Sequence, residues 1–259
     1  MKVSLQVVNA RRAELAKLLQ QQRYLPVADL CAQLRVSEAT ARRDLAVLAR
    51  DKVITRTRGG ALVDFNQRFP SFRERQFRAS LTKRQMALAA VQLIKPGMTV
   101  FFDAGTTTYA IAEALTVQPV ANITALTNSL PVAEMLAEAP DMDVELVGGQ
   151  YLARQSVLFG EQARRSLRLW KIDLAFLGAE GMSPAGLWNS QRDVVAFQRA
   201  VVKLSPRTIC CLDSTKLGQE APEFLLPWSG VDGLLTDATV KQLKMAGIKL
   251  TKNQLISAH

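Results

Sequence analysis

Five apolar runs in this chain give way to small, hydroxyl-bearing or charged residues. They end in Asp103-Ala104-Gly105-Thr106-Thr107-Thr108, Thr127-Asn128-Ser129, Gly148-Gly149, Gly178-Ala179-Glu180-Gly181 and Asp213-Ser214-Thr215-Lys216. A glycine turn followed by threonines and a helix-forming stretch (Tyr109 onward) presents backbone N–H groups and hydroxyls that suit an anion, above all phosphate. Lys216 supplies a compensating positive charge. One such turn is often only a turn, whereas five on one side of a sheet amount to a site. A second set of residues points to a different polyanion. Ser37-Glu38-Ala39-Thr40 precedes Arg42 and Arg43, and Arg56 and Arg58 precede Gly59-Gly60. Guanidinium groups bond bidentately to guanine and clamp phosphates.

The apolar runs begin near residues 98, 122, 143, 173, 208 and 232, about 20–35 residues apart, which leaves room for a helix between each pair. Runs rich in Val, Leu and Ile fit parallel strands buried on both faces. The expected architecture is a mostly parallel, open α/β sheet with helices on both faces. In such sheets ligands bind beyond the carboxyl ends of the strands, where the five polar ends lie.

The arginine set needs another scaffold. Three helical patterns occupy residues 1–52. Leu15, Leu18 and Leu19 form one stripe, and Val27, Leu30, Cys31 and Leu34 a second, in a helix opening at Pro26. After a very short connection Ser37 caps a third helix, whose apolar positions are Ala41, Leu45 and Leu48. Two short helices around a tight turn, the second carrying polar and basic residues early, form a helix-turn-helix, and the β-prone runs flanking Gly59-Gly60 form its wing. The bland alternative is that Arg43 merely pairs with Asp44 or Asp51.

Charge supports the division. Of the net +10, residues 1–85 carry +11 and residues 86–259 carry −1. A polyanion-binding module is thus joined to a neutral one. The expected boundaries are residues 1–63 for the winged helix-turn-helix, 64–85 for a basic linker and 86–259 for the α/β module. Phe65, Phe69, Phe72 and Phe77 argue against a free tether. Neither a membrane span nor a signal peptide is expected. Cys31, Cys210 and Cys211 have neither a disulfide nor a zinc spacing, which fits cytoplasmic thiols. The only histidine is His259, which argues against His-based acid–base catalysis and a His-rich metal site. No metal and no cofactor is expected.

The stretch from Val36 to Ala61 resembles the signature of the DeoR-type bacterial transcription regulators. It matches at Val36, Ser37, Thr40, Arg42, Arg43, Asp44, Leu45, Arg56, Gly59, Gly60 and Ala61. It departs at Ala41, where a β-branched residue is usual, and at Asp51-Lys52, where a glycine often turns the chain. Further along, FDAGTTT, LTNSLPVAEML, LVGG, FLGAEG and LDSTKLG resemble the effector domain of the same family, which is similar to ribose-5-phosphate isomerase. The resemblance implies a repressor of a carbohydrate-metabolism operon that binds double-stranded operator DNA as a homodimer or homotetramer and responds to a phosphorylated sugar or related metabolite. By the same likeness Thr106, Thr107, Asn128, Ser129 and Lys216 hold the phosphate and hydroxyls. Asp103, Gly149, Gly178 and Glu180 shape the pocket, with Gly105 and Thr108 in the same turn as Thr106.

The competing reading is an active isomerase with a DNA-binding appendage. Aldose–ketose isomerisation needs a base to move a proton between carbons. The position matching the isomerase base is Gln198, whose amide cannot take that proton, which leaves Glu180 and Asp193 as substitutes. The expectation is therefore a sensor and no enzyme. A ligand-free nucleoid-type protein would not need five polar strand ends. Trp188 is open to two roles, a sugar-stacking platform or a packing residue.

Overall fold

The computed structural model describes residues 5–22, 24–50, 54–57, 60–63, 71–251 and 253–258. The chain divides into two compact units, residues 1–69 and 70–259.

The first unit runs α1 (Leu5–Gln22), β1 (Tyr24–Pro26), α2 (Val27–Leu34), α3 (Glu38–Arg50), β2 (Ile54–Thr57) and β3 (Gly60–Val63). The three strands form an antiparallel sheet in the order β1-β3-β2. The first strand has no counterpart in the sequence reading, because three residues are too few to show a period. It takes in Pro26, expected as the first helical residue, which instead sits extended (φ −56°, ψ 149°) just before α2. The predicted stripes converge as expected: Leu15, Leu19, Leu30, Ala41, Leu45 and Leu48 bury together with Leu25, Val27 and Ile54. Ala41 is fully buried, so its small side chain fits the packing of α3. The tight turn is made by Arg35 in the left-handed region (φ 51°), with the Val36 amide donating to the Cys31 carbonyl at 3.1 Å. Ser37 caps α3 as predicted, its Oγ accepting from the Thr40 amide at 3.3 Å.

The second unit continues with α4 (Phe72–Gln76), α5 (Ser80–Val91), β4 (Thr99–Phe102), α6 (Thr106–Val117), β5 (Ile123–Thr127), α7 (Leu130–Ala137), β6 (Met142–Leu146), β7 (Gln150–Leu152), β8 (Val157–Phe159), α8 (Glu161–Leu167), β9 (Leu174–Leu177), β10 (Gly181–Ser183), β11 (Gly186–Asn189), α9 (Arg192–Leu204), β12 (Thr208–Cys211), β13 (Glu223–Leu226), β14 (Gly233–Thr236), α10 (Val240–Met245) and β15 (Leu255–Ser257). Seven strands make one parallel sheet in the order β15-β14-β12-β9-β4-β5-β6. Six of them are the predicted runs. The seventh, β15, is a three-residue edge strand in a polar tail and has no apolar run to announce it.

Alternation along the central strands feeds two cores. Phe101, Ala175, Leu177, Cys210 and Leu234 face one, with Leu167, Phe197 and Val201 from α8 and α9. Val100, Phe102, Leu174, Phe176, Ile209, Cys211 and Leu235 face the other, with Met86, Ile111, Leu115 and Leu136 from α5, α6 and α7. The adjacent Cys210 and Cys211 thus point to opposite faces. Burial pushes both thiols up, Cys210 to about 12, so neither supplies a thiolate nucleophile. The expectation of a helix between every pair of strands fails once. Between β12 and β14 the chain makes two 3₁₀ turns, Ser214–Lys216 and Trp228–Gly230, and the strand β13, which joins β10 and β11 in a small antiparallel sheet.

Residues 71–85, read in the sequence as linker, form α4 and the start of α5 in the second unit. Phe72 is buried and Phe77 is exposed, while Phe65 and Phe69 lie outside the described residues.

Asp44 carries the main electrostatic load of the first unit. Its carboxylate is buried and accepts from Arg11 Nε at 2.6 Å and Arg12 Nε at 2.8 Å. Burial pushes this carboxyl up, but the hydrogen bonds and charges of the two arginines outweigh it and hold it below the ordinary range. The stabilisation is therefore present above the usual carboxylate pKa and lost as pH falls through the folded value. Asp44→Ala should destabilise the first unit by about 3 kcal/mol, since it strands two guanidinium groups. Urea unfolding followed in the first unit checks this, and the difference from wild type should shrink in acid.

Candidate effector crevice and recognition helix

On α3, Ser37, Glu38, Ala39, Arg42 and Arg43 are exposed and Thr40 is half-buried. Ala41, Asp44, Leu45 and Leu48 face inward. Arg42 Nε donates to Glu38 Oε1 at 2.8 Å, one turn back. The alternative that Arg43 pairs with Asp44 fails, because both Asp44 oxygens are taken by Arg11 and Arg12. Asp51 lies outside the described residues, as does Arg58, and Arg56 lies in β2. The face that carries Arg42 and Arg43 is polar and accessible, as groove insertion requires.

The sheet order makes the second candidate site. From β4 the chain winds outward through β5 to β6, then returns to the other side of β4 as β9 and winds away through β12 and β14. Parallel sheets place their ligand crevices at such a reversal, here beyond the carboxyl ends of β4 and β9. Asp103 directly follows β4 there. Its Oδ2 accepts from Gln198 Nε2 at 2.6 Å and from the Gly178 amide, just after β9, at 3.2 Å. Its Oδ1 accepts from Asn128 Nδ2, just after β5, at 3.3 Å. Three strand ends and α9 thus meet on one carboxylate. It is buried, and burial pushes it up despite the bonds from Gln198, Gly178, the Ala104 backbone and Asn128. Asn128 is fully buried as well, and its Oδ1 has no partner among the described residues.

The other predicted residues take distinct places. Thr106 and Thr107 open α6, where first-turn amides have no intrahelical acceptor. Thr108 turns its hydroxyl inward to the carbonyls of Asp103, at 2.6 Å, and Gly105, at 2.8 Å. Ser129 caps α7. Gly149 (φ 131°) is required by the hairpin beyond it, since a Cβ there would sit 2.4 Å from the Phe159 carbonyl oxygen. Glu180 accepts from Ser190 Oγ at 2.8 Å. Lys216 stands in the 3₁₀ turn after β12, beside the buried Asp213. Of the residues left open, Trp188 is half-buried, its Nε1 donating to Ser183 Oγ at 2.8 Å and its ring meeting Phe224 edge-on at 5.0 Å. Asp193 is exposed at the start of α9.

Sequence reasoning missed Gln198 as a site residue. Gln198 carried a signal, since it occupies the matching position for an isomerase base. Its amide Oε1 accepts from Asn189 Nδ2 at 3.1 Å while its Nε2 donates to Asp103 and to the Gly178 carbonyl. It positions Asp103 and is not available as a base.

Two family models match. One, a DeoR-like helix-turn-helix domain, covers residues 11–67, and the other, a DeoR C terminal sensor domain, covers residues 78–238. The chain belongs to the DeoR family. It is a DNA-binding transcriptional regulator. It is 30% identical to the glycerol-3-phosphate regulon repressor of Escherichia coli (strain K12), over 88% of this chain and 90% of that one. The repressor of the same name from Haemophilus influenzae is 31% identical, over 93% and 95%. The HTH-type transcriptional repressor GlcR of Bacillus subtilis is 29% identical, over 90% and 89%. Among solved structures, ribose 5 phosphate isomerase A from Neisseria gonorrhoeae aligns over 52% of each chain with a TM-score of 0.39 and 19% identity.

A buried, hydrogen-bonded carboxylate with a raised pKa costs stability at neutral pH, the more so as pH rises through its folded value. Asp103→Asn in this DeoR-family regulator should therefore raise the melting temperature of the second unit by about 2–4 °C at neutral pH, with little gain in acid. Calorimetry across pH checks the sign.

Proposed function

We propose that the protein represses a carbohydrate-metabolism operon, and that a phosphorylated sugar or related metabolite in the crevice sets its affinity for the operator. The observation that carries this reading is Asp103, with Gln198, Asn128 and Gly178 locked around it at the sheet's reversal point. A buried carboxylate flanked by an unsatisfied amide oxygen is an arrangement for hydroxyl groups. The amides of Thr106 and Thr107 and the ammonium of Lys216 suit the phosphate. The relatives, repressors of a glycerol-3-phosphate regulon among them, support both halves.

In this reading the residues from Ser37 to Arg43 enter the major groove and the wing follows on the backbone. The protein works in the cytoplasm as a dimer or tetramer, whose paired recognition helices meet repeated half-sites. Ligand that favours one global state shifts operator affinity by linkage. Against the isomerase alternative, the position matching its base is Gln198, an amide that cannot take the proton and is bonded to Asp103.

The test is a mobility-shift titration on the DNA upstream of the neighbouring operon, with and without candidate sugar phosphates. Arg43→Ala should weaken operator binding about tenfold or more, and leave ligand-induced thermal stabilisation unchanged. Lys216→Ala should do the reverse, with normal DNA binding and a blunted ligand response. Equal DNA affinity for Arg43→Ala and wild type would remove α3 as the recognition helix.

A further inference from the structure

An amide side chain has a donor end and an acceptor end, and which end faces which neighbour decides what it can recognise. Beside the sheet's reversal point that choice is made by backbone groups, which cannot turn round. The Ser190 amide donates to Asn189 Oδ1 at 2.9 Å, so Asn189 passes its nitrogen onward. Asn189 Nδ2 donates to Gln198 Oε1 at 3.1 Å. Gln198 Nε2 then donates to the Gly178 carbonyl at 2.8 Å and to Asp103 Oδ2 at 2.6 Å. Every bond in this relay runs one way, from the backbone of Ser190 to the carboxylate.

A carboxylate offers about four lone-pair sites. The donors on Asp103 are Gln198 Nε2, the Gly178 amide, the Ala104 amide and Asn128 Nδ2, so the protein itself takes them up. Asn128 is left with the opposite problem. It must turn its nitrogen to Asp103, and its oxygen therefore turns away. That oxygen belongs to a side chain with no exposed surface and has no hydrogen-bond partner among the described residues. The backbone of Asn128 is held as well, its carbonyl accepting from the Leu158 amide at 2.7 Å. The residue directly follows β5, the neighbour of β4 in the sheet. A buried acceptor left open costs free energy, and a donor is what relieves it.

We propose that Asn128 Oδ1 is the specificity-determining acceptor of the effector site: it takes a hydrogen bond from a hydroxyl of the phosphorylated ligand, and Asp103 and Gln198 are positioning residues that hold its amide this way round. A ligand with a carbonyl, ether or carboxylate oxygen at that point sets acceptor against acceptor and is refused. The inference rests on the crevice being the effector site and adds the group that the site reads. The oxygen is out of reach of solvent in this conformation, so a ligand hydroxyl meets it as the surrounding side chains part. The bond then exists in the liganded state alone, and a shift between two states requires a contact of that kind.

The full-length protein should be screened by thermal melting with polyol, aldose and ketose phosphates. The phosphate that stabilises it most is then compared, by titration calorimetry, with its analogues carrying fluorine in place of one hydroxyl at a time. At one carbon fluorine, which accepts where the hydroxyl donated, should weaken binding about tenfold or more. In Asn128→Ala the hydroxyl and fluorine forms should bind alike. In Asp103→Asn the Asn128 amide is free to turn its oxygen to the new side-chain nitrogen, and its own nitrogen to the ligand, so the fluorine penalty should largely vanish there too. Merely structural damage would weaken both forms and keep their ratio. If the penalty is absent in wild type, or persists in both variants, the inference falls, and a stabilisation lost in Lys216→Ala keeps the crevice reading. If no phosphate stabilises the wild type, both fall. Should Asn128→Ala fail to fold, Asp103→Asn decides.

Discussion

A carboxylate without water must be answered by donors, and the second unit is organised around that demand at Asp103. The answer comes from three directions: the Gly178 amide, the Asn128 side chain and the Gln198 side chain. Each belongs to a different part of the sheet, so satisfying one residue holds β4, β5 and β9 and α9 in register at their carboxyl ends. Even with these bonds, burial keeps the carboxyl above its usual range. Such a group is a poor device for stability, and carboxylates perturbed in this way gather at functional sites.

The first unit solves the same problem differently. Asp44 is as buried as Asp103, yet two guanidinium groups answer it and its carboxyl falls below the ordinary range. One carboxylate therefore stabilises its unit at neutral pH and the other taxes it. The contrast follows from the partners alone: full charges from Arg11 and Arg12 against neutral amides.

Much of the architecture was legible in the sequence, since the pattern that encodes it is local. Six of seven sheet strands are runs of apolar residues whose alternation feeds two cores, and the helix-turn-helix stripes meet as their spacing requires. The short elements were not legible. Tyr24–Pro26 and Leu255–Ser257 are three residues each and exist through pairing with distant partners. The strand-end residues were legible because each group follows an apolar run. Gln198 was not counted among them, because it reaches Asp103 from α9 and follows no strand end. Thr108, Ser129 and Gly149 show the converse: residues of the right type whose contacts serve the backbone.

The neighbours Arg43 and Asp44 look like one charged motif, but a helix turns about 100° per residue and sends them to different faces. Arg43 is exposed, while Asp44 is sealed against α1. In the proposed reading, operator preference can thus drift by substitution at Glu38, Ala39, Arg42 and Arg43 with the hydrophobic seat of the helix untouched. A single inserted residue between positions 38 and 44 would rotate a guanidinium into the core and the carboxylate out of its clamp. Within this regulator's lineage, new DNA specificities are reachable by point changes on α3 and closed to changes in its length.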